Sequence, residues 1–348
     1  MEKLHTNQTG GSVAGAPENA KKKMPPWLAG LIGLAVIVGV YGILKLLIWT
    51  EVISIYYADY LNLILINMIL GLGLNLITGI TGQFSLGHAG FMAVGAYTTA
   101  LVVLNTSGSL VSILGGILLG AVLAGLLGLL VGIPTLRLKG DYLAIATLGL
   151  GEIIRIFITN TDQKVLGGSA GLSGFPIFTT FEMAFFGAAI TFVVVRNLLK
   201  SSYGRACVAV REDEIAAESM GVNLAKVKIM AFVVGTFFAG MAGGLFTGYM
   251  GIIQPKSFDF MKSIDILMIV VLGGLGNIWG TLVGAIVLGI VNIFLQDLSS
   301  VRMIVYALLL VIIMLVKSGD TRFFVWLRKL FNWKKWTPAF LSKKSGVK

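Results

Sequence analysis

The sequence predicts an all-α integral membrane protein with about ten transmembrane helices, some of them broken or re-entrant. Three observations carry this. Hydrophobic residues make up 56% of the 348 and charged residues only 12%, with a mean hydropathy of +0.90, which is more apolar surface than a water-soluble domain can hide. Apolar runs of the roughly 20 residues that a bilayer crossing needs recur along the chain. The 27 lysines and arginines gather in a few clusters between those runs, as the positive-inside rule arranges them. The net charge of +11 therefore speaks for orientation in a membrane and not for a nucleic-acid partner.

Residues 1–24 are polar and read as a disordered cytoplasmic tail that ends in Lys21, Lys22 and Lys23. The run from Trp27 to Trp49 is longer than a signal-peptide core and has no evident small-residue cleavage site, so it reads as a retained anchor. Further apolar runs cover about 60–80, 84–104, 110–133, 142–160, 181–198, 228–250, 258–276, 279–296 and 302–317. Together they define a membrane domain over 25–318, with a cytoplasmic segment at about 201–228. The lysines at 21–23 and the tail with Arg322, Arg328, Lys329, Lys334 and Lys335 place both termini in the cytoplasm, so the number of crossings is even. Arg137 and Lys139 mark a second inside loop, and Arg196, Lys200, Arg205, Arg211, Lys226 and Lys228 the longest one. Satisfying all four clusters needs a turn near residues 274–277.

Segments 81–90 and 273–284 are glycine-rich, which suits broken or re-entrant helices. Irregular backbone at membrane depth survives only under a cover of protein or water. Small residues recur every fourth position in three stripes: Gly116, Gly120, Ala124, Gly128 and Gly132; Gly240, Gly244 and Gly248; and Gly276, Gly280 and Gly284. Each stripe suits close helix packing. The third stripe and the Gly82–Gly95 region lie in opposite halves of the chain, the placement of an inverted repeat with a path between its members.

Polar residues stand out against this background. Asn75, Thr78, Gln83, Ser85, His88 and Tyr97 lie among apolar neighbours at membrane depth, where uncharged polar groups must be satisfied by one another or by water. A hydrogen-bonding, weakly charged lining is what a path for a zwitterion needs, and an interhelical structural bond is the plainer role for His88. Glu152 and Arg155 stand one turn apart inside the span 142–160 and can neutralise each other. That pair is a structural ion pair or, in an ion-coupled secondary carrier, an ion site. In the segment 201–228, Val208, Ile215, Ala216, Met220 and Val222 interleave with Arg211, Glu212, Asp213, Glu214 and Glu218. The pattern predicts a short amphipathic helix interrupted at Gly221, with a new helix starting near Asn223. The tail 319–348 alternates Trp and Phe with Arg and Lys, as in a helix lying on the inner membrane surface. The single Cys207 excludes a disulfide framework within the chain. No cluster of metal-binding side chains is evident, which leaves little for a membrane enzyme.

The stretch Gly73–Tyr97, with G-L-N-L-x-T-G followed by G-Q-x-S-L-G-H-A-G-F-x-x-V-G-A-Y, resembles the signature of the branched-chain amino acid ABC permease family, and within it the LivM-type subunit. Residues 140–149, the G-G-S-x-G-L-S-G run of 167–174 and L-G-G-L-G-N-I-W-G within 271–284 agree with that family. The likeness runs from about 60 to 317. It implies the ABC importer permease architecture also used for vitamin and sugar uptake. It further implies a sister (LivH-like) permease, two cytoplasmic ABC ATPases that bind ATP and Mg, and an extracytoplasmic amino acid-binding protein, all in a prokaryotic plasma membrane. This chain has no G-x-x-x-x-G-K-[ST] loop and is expected to hold no cofactor, metal or catalytic group of its own. The Ile215–Glu218 run with Gly221 after it resembles the coupling-helix motif of ABC importer permeases, with the acid after the two alanines here. The expected ATPase-coupling residues are Gly204, Arg205, Arg211, Glu212, Asp213, Glu214, Ala216, Ala217, Glu218 and Gly221. Urea, short amides or a sugar are alternative cargoes for such a permease, because no residue pattern selects a leucine side chain.

Overall fold

A computed structural model describes residues 26–50, 55–106, 108–135, 141–294 and 308. The chain divides into two units, Met1–Val52 and Ile53–Lys348. The described part of the first is one helix, α1 (Pro26–Trp49). Its single charge, Lys45, donates to the Tyr41 hydroxyl one turn back at 3.0 Å and lies over that ring.

The second unit is helical: α2 (Ile55–Leu74) continuing into a π-helical turn (Asn75–Ile80), α3 (His88–Asn105), α4 (Leu110–Thr135), α5 (Asp141–Asn160), a short α6 (Gln163–Leu166), α7 (Phe181–Lys200), α8 (Ser202–Glu212), α9 (Glu214–Ser219), α10 (Leu224–Met250), α11 (Phe260–Gly273) and α12 (Ile278–Phe294). One isolated antiparallel bridge, Leu172 with Ile253, is the strand-like pairing among the described residues. Six described helices are long and apolar enough to cross a membrane: α2 with its π turn, α3, α4, α5, α7 and α10. The described part of α1 and α12 are shorter apolar helices. The 14 residues of α11 reach about 21 Å at 1.5 Å per residue, short of a bilayer core. The expected count of about ten is thus six among the described residues. The run at 302–317 lies outside them but for position 308, as do the tail 1–24, the basic loop with Arg137 and Lys139, and the tail 319–348.

α2 is the centre of the second unit, with Ile66, Ile69, Leu70, Leu72, Leu74, Leu76 and Ile77 fully buried. Beside it, α3, α4 and α10 meet along a seam of small residues. A Cβ added to Gly95 of α3 would run into the backbone of Gly240 in α10, and one on Gly243 into the Met92 carbonyl. Gly240 also faces Gly120 and Ala124, Gly244 faces Ile117 and Thr99, and Gly128 faces Thr236. Two of the sequence stripes are therefore the two sides of one contact, where backbones approach closely enough for dispersion to replace the absent hydrophobic drive. Gly248, the last of its stripe, packs instead on Phe178 and Thr179. The third stripe does not hold as one helix face. Gly280 and Gly284 lie on α12 against Gly273 and Ile269 of α11, whereas Gly276 precedes the helix in the turn, at φ 80°.

That turn at 274–277 stands where the charge pattern required it. The loop 81–87 also interrupts helix, as the glycine content predicted. The segment 201–228 breaks at Gly221 as expected, where α9 has ended at Ser219 and the backbone turns at φ 84°. It breaks once more than expected: Asp213 adopts extended backbone and caps α9 by accepting from the Ile215 and Ala216 amides at 2.8 and 3.1 Å. Asn223 caps α10 through the Lys226 amide at 3.0 Å, which agrees with a helix start near it.

Candidate functional site

At the end of α2 the backbone carbonyls find partners from three directions. Residues 75–80 widen into a π turn, a form that recurs at functional sites. The Leu76 carbonyl accepts from the Thr81 hydroxyl at 2.9 Å and the Ile77 carbonyl from the Gln83 amide at 3.0 Å. The Gly79 carbonyl accepts from Arg211 Nη1 at 2.9 Å, a side chain 132 positions away on α8. Each of these carbonyls would otherwise be an orphan at depth.

The same place brings together two of the four signature stretches. Asn75 Oδ1 accepts from the Gly276 amide at 2.8 Å, so the break in α2 is bonded to the break between α11 and α12. The stem of Arg211 lies under Gly82, where a Cβ would come within 3.1 Å of Arg211 Cγ. A Cβ on Gly276 would collide with Arg211 Nη1. Both glycines have positive φ, 76° and 80°, so no other residue fits either position without strain. The two glycine-rich breaks close directly on one another, with one arginine from outside the spans against both.

The start of α3 is pinned from two sides. The Leu86 amide donates to Thr147 Oγ1 of α5 and the Ala89 amide to Ser263 Oγ of α11, each at 3.1 Å. Gly87 lies on the Thr147 backbone and Gly90 on Gly151. The glycines of G-Q-x-S-L-G-H-A-G thus let α5 approach the loop. Thr147, Ser263 and Arg211 complete the geometry, and sequence reasoning gave the first two no role here. The recurrence of 140–149 in the family pattern was the signal that pointed toward Thr147.

All six residues singled out for a path are buried in the second unit, between 0 and 7% exposed. Each also carries an unpartnered polar atom: Asn75 Nδ2, Thr78 Oγ1, Gln83 Oε1, Ser85 Oγ, both ring nitrogens of His88 and the Tyr97 hydroxyl. Asn62 Oδ1 is the one further such atom among the described residues. Gln83 spends its other end on the Lys228 carbonyl at 3.1 Å, and Tyr97 sets its ring edge-on to Phe258 at 6.1 Å. His88 has the Leu70 carbonyl beside it, yet neither of its nitrogens completes a bond of ordinary geometry. Buried polar atoms without partners are costly, about 1–3 kcal/mol each. Such atoms can be satisfied by water or a polar solute. The residues are not in one place: Gln83 lies beside the start of α10, whereas Tyr97 lies against the 255–258 turn.

The α8–α9 connector has two faces. Inward, Cys207, Val210 and Ala217 pack with Leu76 and Ile80 of the π turn and with Val227 and Ala231 of α10. Gly204 is buried so closely on Leu198 and Leu199 that no Cβ fits. Glu214 pairs with Lys228 at 2.6 Å, and Arg211 with Glu212. Outward, Tyr203, Ile215 and Met220 are 62, 78 and 84% exposed, beside exposed Ala216 and Glu218. Arg205 is exposed and donates to the Lys200 carbonyl at 3.0 Å, and Gly221 has open space about it at φ 84°. Burial pushes the Cys207 thiol above its usual range, against the opposing effect of the Thr81 hydroxyl.

A family model described as "Branched-chain amino acid transport system / permease component" matches residues 56–316. The high-affinity branched-chain amino acid transport system permease protein LivM of Escherichia coli (strain K12) is 36% identical over 301 residues, which are 77% of this chain and 70% of that protein. The corresponding permease protein LivH of Salmonella typhimurium is 24% identical over 280 residues, 72% and 89% of the two chains. The ribose import permease protein RbsC of Haemophilus influenzae is 29% identical over 220 residues, 58% and 66% of the two. No solved structure matches the chain.

Proposed function

The chain belongs to the family of permease components of branched-chain amino acid transport systems, and from that premise we propose that it is one of two membrane-spanning subunits of an ATP-driven importer for leucine, isoleucine and valine. Members of this family are transport components, so the chain itself catalyses no reaction in this reading. It forms the translocation path with a LivH-like sister permease. ATP and Mg bind on two partner ATPases in the cytoplasm, and an extracytoplasmic binding protein delivers the amino acid. The chain sits in a prokaryotic plasma membrane with about ten crossings and both termini inside.

One observation supports the energy-coupling role above the others. The α8–α9 connector carries bare Ile215 and Met220 outward while its Arg211 is bonded inward to the break in α2 and pressed against the break before α12. Large apolar side chains that exposed, rimmed by Glu212 and Glu218, fit a partner surface better than water. Movement of that surface is passed by short contacts to the two places where the spans are interrupted. Within the coupling set, Ala216, Glu218, Arg205 and Glu212 belong to the outward face, and Gly204, Arg211, Ala217 and Glu214 to the inward one. Asp213 and Gly221 shape the turns between them.

The six buried polar residues, Asn75, Thr78, Gln83, Ser85, His88 and Tyr97, are proposed to be polar contacts of the path that are satisfied when it hydrates. Cysteines at 83, 85 and 88 then react with a permeant thiol reagent during ATP turnover, and no reaction in any state rejects that role.

The coupling role is tested by co-purification from mild detergent. Ile215→Asp and Met220→Asp leave the helices folded, since both side chains are outside the core. Loss of the two ATPases with the sister permease retained supports the docking face. Retention of the ATPases by the double variant rejects it.

A further inference from the structure

Glu152 and Arg155 form an ion pair on α5, with Arg155 Nε donating to Glu152 Oε2 at 2.8 Å and Nη2 reaching the same oxygen at 2.7 Å. Both donors converge on one carboxylate oxygen. Among the described residues Glu152 Oε1 and Arg155 Nη1 take no part in this pairing, and the two side chains are 31 and 28% exposed. Glu152 stands roughly 16 Å along a helix roughly 28 Å long at 1.5 Å per residue, near the middle of a crossing.

α5 is also the barest of the long apolar helices. Only 28% of its membrane window is buried, against 89% for the window on α2. Its covered side is Leu143, Ala144, Thr147, Gly151 and Ile158, and its bare side runs through Ile145, Gly149, Ile153 and Ile156. Glu152 and Arg155 lie on the flank between the two, where an apolar side gives way to open surface. A half-exposed charged pair at this depth cannot face hydrocarbon without large cost, even self-neutralised. The flank must therefore meet water or another protein.

Resting on the importer reading, we infer that the Glu152–Arg155 pair faces the translocation path and is a transit site for the zwitterionic backbone of an amino acid. The carboxylate of the solute takes Arg155 Nη1 and its ammonium takes Glu152 Oε1, so the ion pair opens into a ring of four alternating charges. Arginine suits the carboxylate because its planar fork offers parallel donors. The site is neutral before and after binding, so it holds the solute weakly, as a passage site must. It recognises the backbone shared by leucine, isoleucine and valine and leaves side-chain selection elsewhere. A sugar or urea, lacking both charges, has no use for such a pair.

The test uses the whole complex, with its ATPases, sister permease and leucine-loaded binding protein, in liposomes. The double variant Glu152→Gln, Arg155→Gln avoids leaving one charge stranded. The expected result is at least a tenfold lower rate of leucine uptake, with co-purification of all subunits and binding-protein-stimulated ATP hydrolysis within twofold of the parent. In a second measurement, Leu148→Cys, one turn before Glu152 on the same flank of α5 and leaving the pair intact, reacts with a charged methanethiosulfonate, and leucine slows that reaction at least threefold where ribose and urea do not. Dissociation of the sister permease from the double variant assigns the pair to the subunit contact and overturns the inference. So does unchanged uptake, or labelling that leucine does not slow. Absence of ATP-driven leucine uptake by the parent complex is a different failure, because it removes the importer reading itself.

Discussion

Replacing Arg211 with alanine removes the side chain that, among the described residues, joins the connector to both helix breaks. The bond to the Gly79 carbonyl has a charged donor and a buried acceptor, and such bonds contribute about 1.5–3 kcal/mol. The pair with Glu212 adds little, because that carboxylate is 66% exposed and pairs of this kind contribute about 0–1 kcal/mol. The loss is therefore about 2 kcal/mol, or roughly 30-fold in any equilibrium between the bonded arrangement and one without the bond. Folding should survive, since the connector keeps its apolar contacts through Cys207, Val210 and Ala217. The quantity to measure is leucine taken up per ATP hydrolysed by the reconstituted complex. Arg211→Ala is expected to lower that ratio at least tenfold with the complex still assembled. Arg211→Lys is expected to fall between, because one ammonium can keep the Gly79 bond but not the pair with Glu212 as well. An unchanged ratio, or a loss of uptake that only tracks the amount of assembled complex, refutes the idea that this arginine transmits motion.

Other expectations concern stability and accessibility. Gly243→Ala forces α3 and α10 apart at the Met92 carbonyl and should cost about 1–3 kcal/mol, seen as a lower thermal midpoint in detergent. Gly115→Ala, in open space on α4, should leave the midpoint unchanged or raise it, by up to about 1 kcal/mol of helix propensity. Asn75→Leu leaves the Gly276 amide without its acceptor at about 1–3 kcal/mol, and faster hydrogen exchange at residues 274–277 would report it. Cys207 is fully buried with its thiol raised, so its thiolate fraction at neutral pH is below that of a free cysteine. Maleimide should label it far more slowly than the exposed Ser202→Cys, with the rate rising only at pH above the usual thiol range.

Much of the molecule was legible in one dimension. The apolar runs at 60–80, 110–133, 142–160, 181–198 and 228–250 became α2, α4, α5, α7 and α10, because length and hydropathy alone decide whether a segment can satisfy its backbone in lipid. The stripe at Gly240 and Gly244 is a packing face for the local reason that small residues every fourth position share one side of a helix. Asn75, Thr78, Gln83, Ser85, His88 and Tyr97 announced themselves by polarity in apolar company, and their unpartnered atoms agree with that singularity. What the neighbours of those residues are was decided only in three dimensions. The break of the connector at Asp213 depends on a cap competing with helix propagation, which a charged amphipathic pattern does not reveal. Gly276 belongs to a turn because Asn75, 201 positions earlier, holds its amide. Arg211 was one charge among several until the fold brought it to Gly79 and turned Ile215 and Met220 outward. Periodicity and hydropathy are local sums, so they determine which segments enter the membrane. A bond between residues far apart in sequence exists only after packing has selected one arrangement, and that selection was made by the tertiary structure.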